Sequence, residues 1–260
     1  METRLYKFSG AGNDFVVIDG REGDVSAFRA VPRIEALCKQ FKTDGLMILG
    51  SGDAEVDFTM EFYNPDGSGG MMCGNGGRCI VAFADYLGIK PASGNVFLFR
   101  APDGLHTGEI LARLEDDLWE VRIKMIDVQG ITPMLGGYFL NTGTRHFVKF
   151  VDDVEKVDID TEGKALRWNE AFAPVGTNVN FVHVAPDGLH VRTFEKGVEG
   201  ETLACGTGLT ASAIAAYYIG KPDTRLRARQ DWLSVNFTPG ADEKFTDVYL
   251  TGPARLVGIF

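Results

Sequence analysis

The sequence predicts an α+β fold in two similar halves, with strongly curved sheets around central helices. Three observations predict it. Runs that alternate apolar and polar residues dominate the 260-residue chain, as half-buried antiparallel strands do. Two helical stretches, "GRCIVAFADYLGI" and "GLTASAIAAYYIG", are apolar nearly all round, so sheet must cover them on most sides. Each follows a cysteine set directly before Gly-x-Gly, in "MMCGNGGRC" (Met71–Cys79) and "LACGTGLTAS" (Leu203–Ser212).

In chain order, the first strand is read at "FVVID" (Phe15–Asp19), with "GAGNDF" ahead of it. "AVPRIEALCKQF" reads as a helix with Cys38 on its apolar side. The strands "LMILG" and "VDFTMEFY" lead to the first cysteine motif and its helix, and "VFLFRA" and "WEVRIKMI" follow. A Gly/Pro-containing connection begins near Ile126. Beyond it, "RHFVKFV", "NVNFVHV" and "LHVRTFE" lead to the second motif and helix, and "LSVNF" and "DVYLTG" follow. Both halves thus run strands, cysteine, Gly-x-Gly, apolar helix, strands. An internal duplication of about 120 residues fits that order.

Composition narrows the function. Hydrophobic residues make up 45% and charged residues 24%, enough apolar material for a core without disulfide staples. The net charge of -10 and the absence of a Lys/Arg cluster argue against nucleic acid as a partner. A small zwitterionic substrate in a locally polar pocket remains compatible. No run reaches the roughly 18 apolar residues of a membrane span, and "METRLYKFSG" lacks the apolar core of a secretory signal. The expected setting is cytoplasmic, where Cys38, Cys73, Cys79 and Cys205 stay reduced.

A cysteine entering a helix N-terminus faces unpaired N–H groups and the positive end of the helix dipole. Thiols so placed titrate below their ordinary value of about 8.5, toward neutrality. Glycines behind the cysteine admit a ligand to the backbone, whose N–H groups suit a carboxylate or phosphate. Two such motifs facing one ligand would set a thiol on either side of it. Inversion at an α-carbon needs that arrangement: a base on one face and an acid on the other, with negative charge stabilised as the proton leaves. No cofactor fingerprint is present. "GAGNDF" precedes a strand, whereas a dinucleotide loop follows one. The spacing of Cys73 and Cys79 suits neither a zinc knuckle nor a C-x-x-C redox site, and Cys79 and Cys38 read as core residues.

The stretches "GNDFVVID", "FYNPDGSGGMMCGNGGRC" and "FEKGVEGETLACGTG", with the two-halved layout, resemble the diaminopimelate epimerases over essentially the whole chain. The resemblance implies two pseudo-symmetric domains, each a mixed, mostly antiparallel sheet rolled around a central helix, with the active site in the cleft between them. It implies domains 1–126 plus 253–260, carrying Cys73, and 127–252, carrying Cys205, with "ARLVGIF" crossing back to the first. It further implies cofactor-independent interconversion of LL- and meso-diaminopimelate, Cys73 and Cys205 being the two acid/base groups.

Other residues carry over one at a time. Asn13, Asn64, Asn178 and Glu195 match substrate-binding positions. Gly74 and Asn75, and Gly206 and Thr207, supply N–H groups behind the two thiols, and Thr207 also its hydroxyl. His146 and Glu195 match residues that modulate the thiols, His146 beside Cys73. Three departures stand out. Thr144 and Arg145 occupy an Asn-Pro pair in the family. Lys196 replaces an arginine, exchanging a bidentate fork for a point charge in recognition of the distal carboxylate. "EKGVEGET" is one residue longer than "ERGVGET". No metal is implied, and a homodimer is the expected assembly. Two rivals stay open: a racemase of another amino acid on the same fold, and a thiol redox or metal-binding protein built on Cys73, Cys79 and Cys205.

Overall fold

The computed structural model describes residues 3–70 and 72–260; Met71, within the first cysteine motif, lies outside the described residues, as do Met1 and Glu2. The chain forms two compact units, Met1–Ile123 with Thr251–Phe260, and Lys124–Leu250.

The first unit opens with a hairpin, β1 (Leu5–Gly10) and β2 (Asn13–Asp19). The strands pair from Leu5↔Ile18 to Gly10↔Asn13, and Ala11 and Gly12 turn between them at φ 56° and 96°. Two consecutive left-handed residues match the natural twist of a tight hairpin. "GAGNDF" is therefore a hairpin turn, and Phe15–Asp19 belongs to the second strand, not the first. The segment "LYKFSG" alternates half-buried and buried residues along its length. It escapes the reading that starts at Phe15.

Helix α1 (Val31–Phe41) then crosses to β3 (Gly45–Ser51), which pairs parallel to β2. A parallel pair with a crossover helix is buried on both faces, which is why "FVVID" and "LMILG" are continuous apolar runs. Val16, Ile18, Leu46 and Ile48 pack against Ile34, Leu37 and Cys38 of α1. The opposite face turns inward: Phe15 and Met47 lie against Gly76, in the first turn of α2 (Gly74–Tyr86). Strand β4 (Phe58–Tyr63) precedes α2; β5 (Val96–Ala101), β6 (Gly104–Glu115) and β7 (Leu118–Lys124) follow it. The final strand, β16 (Phe245–Ile259), sends Gly252–Arg255 along β7 and Arg255–Ile259 along β1. Among the described residues, β1 to β7 and β16 thus close a ring of strands around α2, in which Gly74–Ala84 are buried. Closure leaves no free sheet edge.

The second unit repeats this order. It contains β8 (Ile131–Met134), β9 (Gly137–Asn141), β10 (Arg145–Phe150), β11 (Asn178–Ala185), β12 (Gly188–Glu195) and β13 (Gly200–Thr202). Helix α4 (Gly206–Tyr218), β14 (Arg225–Arg227), β15 (Trp232–Pro239) and the first half of β16 complete it. The parallel pairs β10–β11 and β12–β14 fall where β2–β3 and β4–β5 fall in the first unit. The crossover from β10 to β11 uses short helical turns and α3 (Lys164–Arg167) in place of one long helix. Val154, Ile159 and Phe172 from these turns cover Phe147, Val179, Phe181 and Phe194. A bridge from Val128 to Phe245, with both backbone bonds at 2.9 Å, joins the segment ahead of β8 to β16. Helix α4 is lined with small residues and is buried from Gly208 to Ala216. The α+β class, with curved sheet around two central helices, is the fold the sequence predicted.

Candidate active site

Cys73 is the N-cap of α2, in extended backbone conformation, and it is exposed. Its Sγ accepts a hydrogen bond from Gly76 N–H at 3.2 Å, and Gly77 N–H closes the first turn on the Cys73 carbonyl at 2.7 Å. Capping by a side-chain acceptor satisfies one of the orphan donors that open every helix. A sulfur accepts such a bond better as thiolate than as thiol. A Cβ on Gly76 would lie 3.3 Å from that sulfur and 3.4 Å from Met47 Sδ, so the glycine keeps space for the thiol.

Behind the thiol, the Asn75 side chain is buried and fully engaged. Its Nδ2 donates to Asn13 Oδ1 at 2.6 Å, and its Oδ1 accepts from Arg78 Nη2 at 2.8 Å. Arg78 is completely buried and also donates to the carbonyls of Gly74 (3.2 Å) and Pro253 (3.4 Å). A buried guanidinium is tolerated where its donors find acceptors, and here it locks helix, turn and last strand together. Cys79 points into the core, where burial pushes its thiol far above the ordinary range. That excludes it as a ready nucleophile or ligand. Asn64 follows β4 and holds a turn: its N–H donates to Ser68 O at 2.8 Å and its Nδ2 to Ser68 Oγ at 3.0 Å.

Cys205 is the N-cap of α4 and is half-buried. Its surroundings differ from those of Cys73. Among the described residues, no first-turn N–H of α4 is capped by its sulfur; Sγ lies 3.5 Å from the Thr207 hydroxyl. Thr207 in turn touches His146 Nε2 at 2.9 Å and Thr144 Oγ1 at 3.3 Å, and its carbonyl accepts from Thr142 Oγ1 at 2.8 Å. His146 is completely buried, and loss of solvent lowers its pKa from 6.5 to about 3. It is a neutral imidazole at physiological pH, and through Thr207 it stands behind Cys205, whereas the resemblance implied a place beside Cys73. Its Nδ1 faces Asn180 Nδ2 at 3.0 Å. In each unit, then, the residue two places after the cysteine bonds to the entry of the strand that opens the unit's first parallel pair: Asn75 to Asn13 of β2, and Thr207 to Thr144 and His146 at β10.

Asn178, at the start of β11, is buried with its amide committed inside the unit. Nδ2 donates to Arg145 O at 2.8 Å and to Thr144 Oγ1 at 3.3 Å, and Oδ1 accepts from Lys196 N–H at 2.8 Å. It therefore fixes the backbone that presents Lys196. Glu195 closes β12; burial raises its carboxyl, and the Thr202 hydroxyl donating to Oε2 at 2.8 Å opposes that. Arg145 lies over the Phe139 ring at 5.1 Å and donates to Phe172 O at 3.3 Å, so its guanidinium serves the packing of its own unit. The loop after Lys196 is pinned by Glu199, which sits at φ 58°. Its carboxylate accepts from Gly197 N–H at 3.1 Å and from buried Arg167 Nε at 3.2 Å. Arg167 also stacks on Trp168 at 4.1 Å.

Sequence reasoning left out Asn180, Thr142 and Arg167. Asn180 carried a signal: with Asn178 it forms a period of two inside an otherwise apolar strand, "NVNFVHV", which marks polar side chains on one face. Among the described residues, no group of three or more His, Cys, Asp and Glu is arranged to hold a metal, and no helix is long and apolar enough to cross a membrane.

Two strand-wrapped helices, each N-capped by a cysteine, define a doubled α+β fold with a thiol at the head of each central helix. Solved structures share that fold. A phenazine biosynthesis protein of the PhzF family from Bacillus anthracis superposes with a TM-score of 0.74 at 13% identity, covering 100% of this chain and 99% of that one. A probable proline racemase from Agrobacterium radiobacter gives 0.66 at 16% identity, covering 100% and 92%.

Sequence comparison is more specific. The family model for diaminopimelate epimerase matches residues 5–112 and 138–257. The diaminopimelate epimerase of Flavobacterium psychrophilum is 39% identical over 98% of both chains. That of Chlorobaculum tepidum is 38% identical over 96% of this chain and 97% of the relative, and that of Aquifex aeolicus 41% over 95% and 93%. The chain belongs to the diaminopimelate epimerase family and is an isomerase.

Proposed function

We propose that the chain carries out its family's reaction, interconversion of LL- and meso-2,6-diaminopimelate, through two thiols and without a cofactor. One thiolate removes the α-proton and the other thiol delivers a proton to the opposite face; the roles exchange with direction. The observation that carries this reading is the matched placement of Cys73 and Cys205 as N-caps of the two central helices. The helix dipole and the first-turn N–H groups favour both the thiolate and the carboxylate of a substrate losing its α-proton. The embedding differs: Gly76 N–H holds Cys73, and the Thr207 hydroxyl faces Cys205. Two acids with different partners suit a substrate whose two stereoisomers are not mirror images.

Gly74 and Asn75 on one side, and Gly206 and Thr207 on the other, supply backbone donors to the reacting carboxylate. Asn13 and Asn64 line the first thiol's side. Glu195, buried and backed by Thr202, receives the distal ammonium. Lys196, its backbone held by Asn178, faces the distal carboxylate as a point charge. A cytoplasmic homodimer completes the reading on family resemblance, and sedimentation velocity of the purified protein tests the dimer. The decisive experiment replaces each cysteine with alanine. Either change abolishes epimerisation of diaminopimelate, followed by chiral chromatography; near-normal turnover in either variant would refute the two-thiol mechanism.

A further inference from the structure

We propose that Asn180 holds His146 in the tautomer with its proton on Nε2, and that this turns the Thr207 hydroxyl into a hydrogen-bond donor to Cys205 Sγ. The inference rests on the reading of Cys205 as an acid/base group and adds Asn180 as a positioning residue for it. The orientation of the Asn180 amide is settled by its neighbours. Nδ2 lies 3.3 Å from the Phe147 carbonyl, which can only accept, and Oδ1 accepts from Thr193 Oγ1 at 2.9 Å. The same Nδ2 lies 3.0 Å from His146 Nδ1. That ring nitrogen must therefore be the acceptor, and in a neutral imidazole the proton is then on Nε2.

Nε2 sits 2.9 Å from both Thr144 Oγ1 and Thr207 Oγ1. If it donates to Thr207, that oxygen's own hydrogen is left for Cys205 Sγ at 3.5 Å. If it donates to Thr144, the Thr144 hydroxyl turns its hydrogen to Thr207 at 3.3 Å, with the same result. Asn178 Nδ2, donating to Thr144 Oγ1 at 3.3 Å, pushes in the same direction. The opposite tautomer would set two donors face to face at Nδ1 and draw a threonine hydrogen onto Nε2, away from the sulfur. Gly208 makes the arrangement possible: a Cβ there would lie 2.3 Å from Asn180 Oδ1 and 3.3 Å from His146 Cε1. The third residue of "GTG" is thus a glycine because the helix start rests on this pair.

The test has two arms. Nitrogen-15 NMR of the full-length protein, with His146 assigned through His146→Gln, should show the Nε2–H pattern; an Nδ1–H pattern overturns the proposal. Asn180→Leu should shift the pattern to a tautomer mixture, and an unchanged pattern denies Asn180 its role. The wild-type spectrum decides the tautomer even if that variant fails to fold. In the second arm, iodoacetamide alkylation of Cys205 is timed at neutral pH in a Cys73→Ser background. Thr207→Val should slow it about tenfold and Thr207→Ser by no more than about twofold, since only the former loses the hydroxyl. Valine at the parent rate, or serine as slow as valine, overturns the hydroxyl step. Neither arm needs turnover. Failure of the catalytic reading of Cys205, seen as an active Cys205→Ala variant, is therefore detected separately.

Discussion

His146 is a base that the fold prevents from taking up a proton. Its pKa is lowered from 6.5 to about 3 by burial. The sign of the consequence follows from linkage. Above 6.5 neither folded nor unfolded chain protonates it; below, the unfolded chain does and the folded chain does not, so stability falls as pH falls toward 3. At about 1.4 kcal/mol per unit, the loss from this group is about 2 kcal/mol at pH 5. Urea midpoints measured from pH 7 to pH 5 should therefore decline more in the wild type than in His146→Gln, which lacks the titration. Parallel declines would contradict the depressed histidine. A second residue-scale prediction concerns Gly208. Alanine there forces its methyl against Asn180 Oδ1 in a packed interior, an overpacking cost of about 1–3 kcal/mol, which a lowered thermal midpoint reads directly. At this scale the sequence was partly legible. The cysteines and their glycines announce themselves by repetition. Asn180 marks only a polar strand face with Asn178, and Thr142 sits in the bend between β9 and β10; neither names its partner until β10, β11 and α4 are packed.

Elements were legible where burial is either one-sided or complete. The three long helices follow from apolar pattern and length, and "FVVID" and "LMILG" from continuous apolar runs. Strand β6 was missed because most of its residues are exposed or half-buried and leave no clean alternation. The hairpin β8–β9 was missed because its strands are short and its turn uses Leu135, at φ 50°, ahead of Gly136, where an Asn-Gly or Asp-Gly pair would have signalled it. The loop after β12 shows how an extra residue is absorbed. Glu199 takes a left-handed conformation and closes the turn on itself, its N–H donating to Glu195 O at 2.8 Å while its carboxylate holds Gly197 N–H and Arg167. Glu199→Ala should therefore speed hydrogen exchange at Gly197 about tenfold and also lower the thermal midpoint, since it leaves the buried Arg167 guanidinium without its carboxylate. Unchanged exchange would show that the carboxylate does not hold the loop.

At the scale of the whole chain, β16 is the element that both units need. Its first half belongs to the sheet around α4, and its second half closes the ring around α2 by pairing with β7 and β1. A chain ending at Leu250 would leave β1 and β7 as open edges, which pair readily with other molecules. It should elute as aggregate in size-exclusion chromatography; a monodisperse, native-like product would contradict the closed ring. The repeated topology also bears on the reaction, since each unit offers one helix capped by one thiol. The central claim is that one thiol strips the α-carbon and the other reprotonates it. Its most direct test is a single-turnover epimerisation in deuterium oxide. The account predicts that first-turnover product carries deuterium at the inverted centre while unreacted substrate keeps its protium. Product that retains the substrate's own hydrogen would mean that one group both removes and returns it, and would contradict the two-thiol account.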